Sequence, residues 1–83
     1  MKEILVKSVS QKVGTVLLVE FMDGTKKEYD LKILYKENPE IANLEKWGMI
    51  HWVKPEAGGA AVSWTPDHDI SAEELFHNGS VQK

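Results

Sequence analysis

The chain has 83 residues, 42% of them hydrophobic and 28% charged, which describes one ordinary globular domain burying about 60 to 65% of its unfolded surface. It has no cysteine, which excludes a disulfide framework, thiolate zinc centres, iron–sulfur clusters and thiol nucleophiles. All ten basic residues are lysine, and the net charge of −3 lies in the second half: residues 1–36 hold seven Lys against five acids, residues 37–83 three against eight. That balance disfavours a nucleic-acid partner, which would meet a repulsive face and no arginine fork.

In chain order, the start MKEILVKSV carries Lys2, Glu3 and Lys7 through its apolar residues, so it is not expected to act as a secretory leader. No apolar run approaches the length of a bilayer span, and a cytoplasmic location is expected. Ile4–Val9 reads as a strand, SQKVG as a turn, and Thr15–Met22 as a second strand dense in β-branched and aromatic residues. A two-residue Asp23-Gly24 turn would set Phe21 opposite Lys26 and Val19 opposite Glu28. A three-residue Met22-Asp23-Gly24 loop instead pairs Phe21 with Thr25, Val19 with Lys27 and Leu17 with Tyr29, so that apolar side chains share a face and only Lys27 must snorkel. The loop requires Gly24 at positive φ.

Beyond Asp30, LKILYK reads as a short link. Asn38-Pro39 then offers an N-cap followed by proline at the first helical position, with Ile41, Leu44 and Trp47 on one face and Gly48 as the stop. Met49–Lys54 and Ala60–Thr65 read as two strands joined by a Pro-Glu-Ala-Gly-Gly loop with a flexible tip. A short helix and the polar tail NGSVQK complete the chain. The expected architecture is a single α+β domain, 1–83: an antiparallel sheet of about five strands in two hairpin groups, β-β-β-α-β-β-α, with two short helices packed on it.

Asp67-His68-Asp69 is the densest set of ligand-type side chains, and it has two readings. As a metal or catalytic site it would recruit His51 or His77, but no HxH, HExxH or EF-hand spacing brings such groups together. As a helix start it needs nothing more: Ser71 and Glu74 form a capping box, Ile70 and Leu75 a hydrophobic staple, and Asp69, Glu73 and Glu74 oppose the helix dipole. The second reading is preferred, with no catalytic, metal or cofactor residues assigned. His51 is expected mid-strand and partly buried, and His77 near a helix C-terminus. The serines lack a nucleophile elbow, and Gly58-Gly59 lacks the residues of a phosphate cradle. Of Trp47, Trp52 and Trp64, at least two are expected in the core and one partly exposed.

Phe21-x-Asp23-Gly24-Thr25, Asp30-Leu31, and Trp64 followed by Asp69-Ile70-Ser71 with Glu74, Leu75 and Phe76 together resemble the small bacterial family catalogued as domain of unknown function 2442, over nearly the whole chain. The resemblance implies a compact α+β domain with no established activity and no catalytic residues to carry over. It also implies an occasional association with helix-turn-helix domains and with toxin–antitoxin-like gene arrangements.

The expected function is a non-enzymatic protein-interaction module, with a basic protein partner drawn to the acidic second half; a role as a toxin–antitoxin partner or regulator accessory comes from the resemblance alone. The alternatives are an accessory nucleic-acid binder using the lysines of the first hairpins, and a small metal-dependent enzyme using the Asp67-His68-Asp69 region. The chain is expected to be a monomer or a homodimer.

Overall fold

Alternating apolar and polar residues drive the first half of the chain into β structure, and the computed structural model describes residues 3–65 and 68–81. β1 (Val6–Val13), β2 (Val16–Phe21) and β3 (Lys26–Asp30) form an antiparallel sheet, extended at the β3 edge by β7 (Ser80–Val81). The expected turn at SQKVG is instead the second half of β1, and the chain reverses only at Gly14-Thr15. Irregularities in the ladder between Val6 and Ser8 and between Gln11 and Val13 let β1 keep pairing while its serines and lysines face water.

The β2–β3 hairpin has the register that core burial demands. Leu17 lies opposite Tyr29 and Val19 opposite Lys27, and the Phe21 amide donates to the Thr25 carbonyl at 2.8 Å. Gly24 has φ 92° and donates to the Phe21 carbonyl, while the Asp23 carboxylate accepts from the Thr25 amide. Leu17, Val19, Phe21 and Tyr29 are all buried on one side. Lys27 snorkels beside them: its Nζ lies 4.2 Å from the centre of the Phe76 ring and donates to the Phe76 carbonyl.

Asp30 closes β3 and starts a 3₁₀ turn, Leu31–Leu34, by accepting from the Lys32 amide at 3.0 Å and from the Thr15 hydroxyl at 2.7 Å. A second 3₁₀ turn, Pro39–Ile41, runs into α1 (Ala42–Lys46); Pro39 takes the first helical position as expected, but the Asn38 side chain makes no cap. The helix ends in a Schellman arrangement, with the Met49 amide donating to Leu44 and the Gly48 amide to Glu45.

The strand expected over Met49–Lys54 is replaced by a 3₁₀ turn, Ile50–Trp52, leaving only β4 (Lys54–Pro55) extended. The core takes Ile50 and Val53, three positions apart, and a spacing of three suits a 3₁₀ turn, whereas strand alternation would have buried Trp52 with Ile50. β5 (Ala61–Thr65) lies close to its expected place. β6 (His68–Ser71) is a strand where only a helix approach was expected, because Ile70 must extend to sit opposite buried Val62. The architecture is α+β and antiparallel as expected, but the single five-stranded sheet is divided in two: β1-β2-β3-β7 and β4-β5-β6. α2 (Ala72–Asn78) packs on β3 and β6, and the tail beyond it supplies β7.

β1 joins the two sheets by lying against β4 and β5. The Phe21 amide and carbonyl are both occupied on the β3 side, so Val6, its register partner, turns its own N–H and C=O to the opposite edge. The loop before β5 closes onto that edge at Gly59, which has φ +79°; a Cβ there would stand 2.5 Å from the Val6 carbonyl oxygen. The glycine loop is therefore packed at Gly59, where a flexible tip was expected.

Candidate functional site

His68 and Asp69 are the described members of the acidic-histidine cluster; Asp67 lies outside the described residues. β6 separates the pair, since alternate strand residues point to opposite faces. His68 Nδ1 is 2.8 Å from the Thr65 hydroxyl, and its ring meets Trp47 edge to face at 6.2 Å, while Asp69 is exposed opposite Ser63. Among the described residues, no three His, Asp or Glu side chains converge as a metal would require.

Half of the expected capping box forms. The Ser71 hydroxyl accepts from the Glu74 amide at 3.1 Å, but the Glu74 carboxylate accepts from the Tyr29 hydroxyl at 2.6 Å. The pull is physical: a fully buried phenol needs an acceptor, and the first turn of α2 holds one within reach. Burial first, and then the Glu74 carboxylate, push the Tyr29 phenol far above its ordinary pKa, so it remains a donor. His77 lies in the last turn of α2 as expected, its ring 5.6 Å from that of Phe76.

The segment from Trp47 to Trp52 departs furthest from expectation. Only Trp64 is buried, its Nε1–H donating to the Ile50 carbonyl at 3.0 Å, whereas Trp47 is 54% exposed and Trp52 57%. The Schellman end of α1 turns the chain away immediately after Trp47, and the following 3₁₀ turn places Ile50 inward and His51 and Trp52 outward. His51, expected to be partly buried, is exposed with its ring 6.0 Å from Trp52. The signal that could have found this surface was the three-residue spacing of Ile50 and Val53.

An open cleft of about 300 Å³ lies between this segment and the β1–β2 reversal, lined by Gln11, Gly14, Glu45, Gly48, Ile50 and His51. The Glu45 carboxylate is oriented by the Tyr35 hydroxyl, which donates to it at 3.1 Å; burial and that carboxylate push the Tyr35 phenol up to about 12. The Gln11 amide donates to the Gly14 carbonyl and holds the reversal in place.

The lysines of the first hairpins are interleaved with acids. Lys12 Nζ is 3.2 Å from the Glu28 carboxylate, Lys7 is 3.9 Å from Glu20, and Lys27 is committed to Phe76. A shallower hollow of about 170 Å³ on this outer face, between β1 and β2, also carries both signs, Glu20 and Lys26. Among the described residues, such a face presents no continuous positive track to a phosphate backbone.

Comparison with protein-family models, curated proteins and solved structures finds no match to this chain.

Proposed function

We propose that this protein is a non-enzymatic interaction module that docks a protein partner through the segment from Trp47 to Trp52. The observation that carries the reading is the exposure of two of its three tryptophans within six residues of one another. Indole surface left in water costs free energy that a partner can recover, and tryptophan is enriched among the residues that dominate binding energy. The acidic second half favours a basic partner, and the charge pairing of the hairpin lysines argues against the nucleic-acid alternative. Membership in the family of domain of unknown function 2442, a cytoplasmic location and a toxin–antitoxin-type association belong to the same proposal; the order of the sequence motifs supports the family.

The test compares affinity capture from nuclease-treated lysate of the native host by the wild-type protein and by a Trp47→Ala/Trp52→Ala double variant. The reading expects a protein retained by the first and lost from the second. Equal retention by both, or capture that disappears with nuclease, would overturn it.

A further inference from the structure

The cleft beside the exposed tryptophans has a chemical character of its own. Among the described residues, Glu45 is the one formally charged residue that lines it and no lysine does, although lysine is abundant in the chain. The Glu45 carboxylate is already held by the Tyr35 hydroxyl, and a carboxylate can accept several further hydrogen bonds. The exposed Trp52 ring meets the ring of His51, a lining residue, edge to face at 6.0 Å, so an indole stands beside one of the residues that line the cleft. Val13 and Trp47, also exposed, are the immediate chain neighbours of the lining residues Gly14 and Gly48. A carboxylate in a cleft whose lining residues adjoin exposed apolar and aromatic side chains selects for a cation carried on an apolar stem, because an indole attracts the charge through its ring and the stem covers apolar area.

We infer that this cleft receives an arginine or lysine side chain from a basic segment of the partner protein, with Glu45 accepting from the cationic head and Trp52 flanking it. The inference rests on the docking reading above and specifies its ligand. The volume fits this role: about 300 Å³ is at the lower limit for small-molecule pockets, enough for one side chain and too little for a large cofactor. The acidic balance of residues 37–83 would favour a basic segment over an acidic one.

The experiment is an amide and indole NMR titration of the full chain with short capped peptides built on alanine and carrying arginine, glutamate or leucine. The arginine peptide is expected to move the Trp52 indole signal and the Gly48 and His51 amides, to weaken with added salt, and to bind Glu45→Gln roughly fivefold less tightly. The amide oxygen that Glu45→Gln introduces can still accept from Tyr35, and an unmoved Trp64 indole signal in the free variant shows that the core is intact. Equal binding of the leucine peptide, or unchanged arginine affinity in Glu45→Gln, would overturn the inference while leaving the docking reading standing. Shifts at Ser8, Leu18 and Glu20 would overturn it in favour of the outer sheet face. Concentration-dependent movement of the cleft signals without peptide would replace the partner with a second copy of the chain. If no peptide moves the cleft signals, the inference fails, and the capture experiment with the tryptophan variants decides the docking reading by itself.

Discussion

Gly58 and Gly59 are adjacent and alike in backbone conformation, with φ of 84° and 79°, yet their surroundings differ. A Cβ at Gly58 would meet nothing within 4 Å; one at Gly59 would press on the Val6 backbone. Gly58→Ala should therefore cost only the left-handed backbone penalty, about 1 kcal/mol. Gly59→Ala adds an overpacking cost and should lose about 2–4 kcal/mol in urea denaturation. Asp30 makes a second prediction at this scale. Burial raises its pKa, but the Thr15 hydroxyl, the Lys32 amide and the Lys32 charge together outweigh that and hold the carboxyl below its ordinary 3.8. A carboxyl depressed in the folded state contributes stability that is fully present above the ordinary value and lost as pH falls through the lower native one. The stability gap between wild type and Asp30→Asn should thus be constant near neutrality, begin to close as pH drops past 3.8, and vanish in stronger acid. A gap that widens on acidification would contradict the assignment.

Lys27 links two elements. It leaves β3 on the apolar side, passes over the Phe76 ring and donates to a carbonyl in the last turn of α2, where helical carbonyls lack intrahelical partners. Lys27→Ala should cost about 1–2 kcal/mol by thermal or chemical unfolding, against almost nothing for exposed Lys26→Ala. The need for Lys27 to snorkel was legible in the sequence, because only one hairpin register puts Leu17, Val19, Phe21 and Tyr29 together. Its partner was not legible, since Phe76 lies 49 residues away and nothing local encodes that approach. The same contrast holds elsewhere. The Ser71 cap on Glu74 and the Gly48 stop are local chemistry and could be read directly. The run from Met49 to Val53 is short and apolar enough to satisfy both a strand and a 3₁₀ turn, and tertiary packing of Ile50 and Val53 made the choice. That choice also turned the Trp52 indole to water, so the candidate site became visible only with the fold. The cleft is further from sequence still, because Gln11 and Gly14 meet Glu45 and Gly48 through topology alone.

The two sheets share one continuous apolar cluster, to which β1, β2 and β3 contribute Val6, Leu17, Val19, Phe21 and Tyr29, and β5, β6 and α2 contribute Val62, Trp64, Ile70 and Leu75. A domain with one core unfolds as a unit, so the sheets should not melt separately. In a Trp47→Phe/Trp52→Phe background, Trp64 fluorescence reports this core alone, and its urea midpoint should coincide with that of far-ultraviolet circular dichroism. Separate midpoints would mean that the second sheet is an independent unit. The closure of Gly59 over Val6 has an implication for solubility as well as stability. A bare β1 margin would offer its outward amide and carbonyl as a template for strands of neighbouring molecules. A side chain forced in at Gly59 should therefore leave a protein that precipitates from its folded or nearly folded state, at denaturant concentrations too low to unfold it, because the glycine is what keeps that margin from being copied.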